Sequence, residues 1–155
     1  MKKSSLIIVL SGLLIFVTCK KEENTLEDPN NTVESFTATI NGSSFAANSA
    51  EISGSSIEIS GGNATESITF DIGSGKSAGT YNLSGWNSTS STIGGRYRDL
   101  TMAGHLYQAT SGSVTFTKYD LGNNVIEGTF SFEGYIMNGD TNTVSLTSGA
   151  FNVLF

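Results

Sequence analysis

Side chains able to carry reaction chemistry are scarce in this 155-residue chain, which has one cysteine, Cys19, and one histidine, His105. Nucleophilic catalysis needs a thiol or hydroxyl activated by a neighbouring base, and no motif sets a serine and an acid beside His105. His105 sits in a strand-like stretch, where a histidine with a satisfied side chain is the expectation. Zinc asks for three or four His, Cys or carboxylate ligands, so no metal site and no cofactor is expected. Calcium asks only for loop oxygens; Asp140 and Asn142 could supply two, at a spacing that matches no calcium loop. Gly73-Ser74-Gly75-Lys76-Ser77 ends like a phosphate-binding loop, but Phe70 occupies the place of its first glycine and no helix follows. The same stretch half-matches a dinucleotide fingerprint, again without the helix. Ten acids lie between Glu34 and Phe155, and a pair could serve glycoside hydrolysis only if folding set them at the required separation. The chain reads as a non-enzyme, with a carboxylate-dependent hydrolase as the residual alternative.

The chemistry of Cys19 is modification. Lys2 and Lys3 form a positive n-region, and Leu6 to Val17 (LIIVLSGLLIFV) is an apolar run shorter than the ~20 residues of a spanning helix. The cysteine follows directly in Phe16-Val17-Thr18-Cys19. This is the layout of a bacterial lipoprotein signal: cleavage after residue 18 leaves Cys19 as a lipidated N-terminus. Phe16 and Thr18 are bulkier than the usual lipobox residues, which leaves an ordinary signal peptide with a stray cysteine as the alternative. Two acyl chains suffice for stable membrane attachment, at about 0.8 kcal/mol per buried methylene. Cys19-Lys20-Lys21-Glu22-Glu23 resembles the Lys-and-acid tract of surface-exposed lipoproteins of Bacteroidota-type bacteria. That resemblance implies an outer-membrane protein facing the cell exterior; the alternative is a merely solvated charge run.

From residue 19 to 33 the lipidated cysteine leads into a tether. Its fourteen residues after Cys19, KKEENTLEDPNNTV, hold six charges, the chain's one proline and two isolated apolar residues. Such a segment can bury no face and is expected to be disordered. Residues 34–155 are long enough for one domain with its own core. They carry four basic side chains, Lys76, Arg96, Arg98 and Lys118, against ten acids, a net charge of −6. That balance argues against nucleic acid as a partner and against docking of the domain itself on anionic lipid.

One region could bind a ligand. Ser84 to Leu100 reads as a long polar stretch holding the only tryptophan, Trp86, and then Gly94-Gly95-Arg96-Tyr97-Arg98-Asp99. An aromatic face beside arginines suits a sugar ring, so Trp86, Arg96, Tyr97 and Arg98 are the candidate ligand-binding residues. In the alternative, Trp86 caps the core while Arg96 and Arg98 point from a strand into solvent.

The elements that must position these residues read as all-β, because no segment sustains a 3.6-residue period. Phe36, Ala38 and Ile40 share a face, Asn41-Gly42 forms a tight turn, and Phe45 begins the return. Ile57 and Ile59 match Ile68, Phe70 and Ile72 across Gly61-Gly62-Asn63-Ala64-Thr65. Tyr81 and Leu83 belong to a short strand, and Leu106 or Tyr107 to another. Val114 and Phe116 lead to a turn at Leu121-Gly122-Asn123-Asn124, after which Ile126, Gly128, Phe130 and Phe132 share a face. A turn at Asn138-Gly139-Asp140 opens the last strand. There Val144 and Leu146 are even-numbered, whereas Phe151, Val153 and Phe155 are odd. A period of two changes phase only through an extra residue, so a β-bulge is expected near Ser148-Gly149. About eight to nine short antiparallel strands result, arranged as a β-sandwich or, alternatively, as a closed meander barrel.

Ser111-Gly112-Ser113-Val114-Thr115-Phe116, Tyr119-Asp120, Gly128-Thr129-Phe130-Ser131-Phe132 and Ser148-Gly149-Ala150-Phe151 together resemble an uncharacterised family of small Bacteroidota-type secreted lipoproteins. Its C-terminal pattern is a GTF-x-F strand followed by a closing G-x-F strand, and Ala78-Gly79-Thr80-Tyr81 fits a further element more loosely. The resemblance implies a β fold and an envelope address; it transfers no site residue. The expected function is a surface lipoprotein whose non-catalytic domain serves structural or protein-interaction roles. The alternative is a small glycan- or ligand-binding module.

Overall fold

Asn41 and Gly42, at φ 48° and 85°, close the hairpin between β1 (Ser35–Ile40) and β2 (Ser43–Ala46). Both residues of such a turn take positive φ, which asparagine and glycine tolerate best. The computed structural model describes residues 34–53, 57–89, 91–137 and 141–154. The signal segment expected at 1–18, Cys19, the tether expected up to residue 33, Asn138-Gly139-Asp140, where a turn was expected, and Phe155 lie outside the described residues.

The remaining strands are β3 (Ser49–Ser53), β4 (Glu58–Gly62), β5 (Glu66–Asp71), β6 (Gly79–Leu83), β7 (Thr92–Asp99), β8 (Leu106–Asp120), β9 (Val125–Ile136) and β10 (Thr143–Leu154). The all-β class holds, with ten strands among the described residues against the eight or nine expected. They form one continuous sheet, in the order β2-β1-β10-β9-β8-β6-β7-β5-β4-β3, curled into a half-barrel. The curl follows from connectivity. β2 and β3 occupy opposite edges of the sheet, yet only Ala47 and Asn48 separate them in sequence. The three Cα-to-Cα steps from Ala46 to Ser49 reach roughly 10 Å, so the edges must meet at that corner. There Ala47 donates its N–H to the Phe36 carbonyl and Asn48 to that of Gly62.

The pairing is antiparallel except between β6 and β7, which run parallel at Asn82↔Thr92 and Leu83↔Ile93. This departs from an all-hairpin arrangement, and its cause is the length of β8. β6 pairs with the later half of that strand (Tyr81↔Val114), and β7 with its start (Tyr97↔Tyr107). Leu106, Tyr107, Val114 and Phe116 therefore lie on one strand, where the sequence suggested two. Gly73-Ser74-Gly75 bends the chain at positive φ and leads into β6, a strand.

Inward faces fill the curl. Phe36, Phe70, Phe130 and Phe151, from β1, β5, β9 and β10, lie with ring centroids 4.8–6.3 Å apart. All are buried, with Ile59, Ile68, Ile93, Val114, Ile126, Leu146 and Val153 around them. Every residue of this core lies between Phe36 and Val153, so the domain supplies its own interior. The bulge expected near Ser148-Gly149 is present: Leu146 pairs with Phe132 but Gly149 with Phe130, and Ser148 takes φ 50°. The extra residue returns Phe151 and Val153 to the inward face.

Candidate binding groove

β7 carries the site. Ile93, Gly95 and Tyr97 face inward and are buried, so alternation turns Gly94, Arg96 and Arg98 outward. The segment Ser84–Thr89 crosses this outer face. Gly95 donates its N–H to the Gly85 carbonyl at 3.1 Å, and Ser84 to that of Ile93. The Trp86 main chain lies directly on Gly94, where any side chain would collide with the Trp86 carbonyl. Ser88 extends the seam by donating its N–H and hydroxyl to Asp71, each at 3.3 Å.

With its backbone so fixed, Trp86 lies against Arg96, whose guanidinium carbon is 4.5 Å from the ring centroid. Arg96 in turn ion-pairs with Glu58 of β4. A half-buried guanidinium that stacks on an indole and meets a carboxylate is held in one geometry.

Two grooves meet at Trp86. The first, about 450 Å³, is lined by Trp86, Arg98, Leu100, Met102, His105 and Met137 among others. The second, about 200 Å³, is lined by Glu58, Ser67, Thr69, Trp86, Arg96, Arg98 and Leu106. Leu100, Met102 and Met137 are 47, 53 and 47% exposed, large apolar side chains left open to solvent in one place. At the groove's rim Asp99 accepts the Thr101 N–H at 2.8 Å and its hydroxyl at 2.6 Å. These bonds hold its carboxyl below the usual carboxylate range.

Of the residues singled out from sequence, the structure brings together Trp86, Arg96 and Arg98. Tyr97 does not join them. As the inward residue between two outward arginines it is 6% exposed and donates its hydroxyl to Glu66 at 2.9 Å. Burial, then the bond to Glu66, pushes its phenol well above the ordinary value. The stretch Ser84–Leu100 is not one long loop, since Thr92–Asp99 is a strand inside the sheet. Glycine at two positions and arginine at two others hide its apolar period. His105 lies just before β8, its ring 6.3 Å from that of Tyr107. Leu100, Met102 and Met137 were missed as site residues; isolated apolar side chains, two between β7 and β8 and one just after β9, were their only trace in the sequence. Among the described residues no group of three or more His, Cys, Asp or Glu could hold a metal ion. Asp140 lies outside that description.

No helix among the described residues is long and apolar enough to cross a membrane. No curated protein and no solved structure matches the chain. A family profile does match, over residues 32–154 and thus the whole β domain, and the chain belongs to that family, the domain of unknown function DUF6252.

Proposed function

We propose that this is a lipid-anchored outer-membrane protein whose domain, held toward the exterior, is a non-catalytic binding domain working through the groove at Trp86. The anchor rests on the sequence of residues 1–23. The binding role rests on one observation: Leu100, Met102 and Met137, each about half exposed, converge beside Trp86 in a single groove. Contiguous exposed apolar surface marks an interaction site more often than an isolated side chain does. The first reading is a protein partner. To test it, a photoreactive residue replaces Met102 in cells, with Leu121, equally exposed at the β8–β9 turn, as the control position. Discrete adducts from position 102 alone support the reading; identical patterns from both positions reject it. For the anchor, Cys19→Ala is expected to move the protein out of the membrane fraction, and retention there would reject lipidation.

A second reading, a small ligand-binding module, is favoured by the groove's volume, which falls in the ~300–1,000 Å³ range of small-molecule sites. A sugar is the weaker candidate for that ligand. Arg96 already covers Trp86 on one side, and methionine and leucine offer no edge hydrogen bonds.

A further inference from the structure

On this acidic domain the groove combines an apolar wall with a cation that makes no ion pair. Arg96 is paired with Glu58, Lys118 lies 3.7 Å from Glu127, and Lys76 donates to the Thr89 carbonyl at 2.8 Å. Among the described lysines and arginines Arg98 is the one with neither an ion pair nor a hydrogen bond, and it is exposed where the two grooves join. Of the acids beside it, Glu58 is paired with Arg96. Asp99, which also lines the larger groove, keeps its charge and turns one carboxylate oxygen to Thr101, leaving the Arg98 guanidinium without an ion-pair partner. An open guanidinium offers paired N–H donors that suit a carboxylate.

We infer that the groove takes one molecule of a free monoanionic amphiphile, its alkyl chain against Leu100, Met102 and Met137 and its carboxylate on Arg98. This rests on the small-ligand reading of the groove given above. Methionine suits the role, because its unbranched thioether side chain adapts to an alkyl chain in many conformations. Trp86 lines both grooves, with Arg98 and Leu106, and is the chain's one tryptophan, so its emission reports occupancy directly.

The experiment titrates residues 20–155, which contain the whole core, with dodecanoate below its micelle threshold. Dodecanol, a neutral oligosaccharide and phospholipid vesicles with and without anionic lipid run in parallel. A saturable one-to-one change in Trp86 emission is expected with dodecanoate. Dodecanol should bind at least about fivefold more weakly, and Arg98→Gln should reduce dodecanoate to the level of the alcohol. Shortening the chain should weaken binding by up to about fourfold per buried methylene, and Met102→Asp should weaken acid and alcohol alike. Circular dichroism checks that each variant stays folded. Equal binding of acid and alcohol, or undiminished binding by Arg98→Gln, would overturn the proposal. So would a response to the oligosaccharide or to vesicles alone, or emission that depends on protein concentration without ligand, the sign of a second copy in the groove. If dodecanoate fails while photoadducts still form at position 102, the amphiphile is wrong and the binding face stands. If both fail, the groove is not a binding site.

Discussion

Gly94 decides where Trp86 stands. The Trp86 main chain lies on the bare backbone of Gly94, so Gly94→Ala must push the Ser84–Thr89 segment off β7 and release Trp86 from Arg96. A loss of about 1–3 kcal/mol is expected from the overpacking, with red-shifted Trp86 emission in the folded protein; denaturant titration read by fluorescence checks both. Tyr97 makes a prediction in pH. Its phenol, buried and bonded to Glu66, keeps its proton in the folded state above the ordinary value near 10, at which the unfolded chain releases it. Between those values the folded state binds more protons, so stability is full below about pH 10 and falls as pH rises, by up to about 1.4 kcal/mol per pH unit from this group. Tyr97→Phe should remove that part of the slope and cost about 1 kcal/mol at neutral pH. Urea unfolding of both proteins from pH 7 to 11 measures it. That Tyr97 and Arg96 part company was legible only in the alternative that set both arginines on a strand, because a two-residue alternation assigns faces only once the strand itself is recognised.

Adjacent positions in β10 should respond in opposite directions. Ser148 holds φ 50° at the bulge, a region costly for any residue with a Cβ, so Ser148→Gly is expected to stabilise by about 0.5–1 kcal/mol. Gly149 faces inward, and a methyl group there would come 2.5 Å from the Phe130 ring; Gly149→Ala should destabilise by about 1–3 kcal/mol. Shifts in the urea midpoint check the pair. The bulge was legible because Leu146 and Phe151 carry opposite parity and both are too large to leave outside. β7 was legible only in the alternative that set Arg96 and Arg98 on a strand, since Gly94, Gly95, Arg96 and Arg98 leave Ile93 and Tyr97 as its only apolar marks. The parallel contact of β6 with β7 leaves no local trace either, because it arises from where both strands dock along β8.

Across the whole molecule the first strand depends on the last. β1 pairs with β10 from Ser35↔Asn152 to Ile40↔Leu146, so truncation after Thr147 removes Phe151 and Val153 from the core and more than half of the ladder that β10 forms with each of β1 and β9. Loss of cooperative unfolding and of dispersed amide resonances is expected, and a folded truncated protein would contradict this closure. Such distant pairing also sets the pace, and refolding in the millisecond-to-second range is expected by stopped flow. The β class was legible from alternation alone, whereas a single curled sheet was not, since sandwich and barrel bury the same alternating faces. The place of β1 bears on mechanics. Force applied through the residues before Glu34 enters the fold at β1, which is hydrogen-bonded to β2 on one side and β10 on the other. Pulling on that end must break two ladders together, whereas an edge strand would peel along one, so a load passed between the chain's beginning and a partner at Trp86 meets the sheet at one of its better-secured strands.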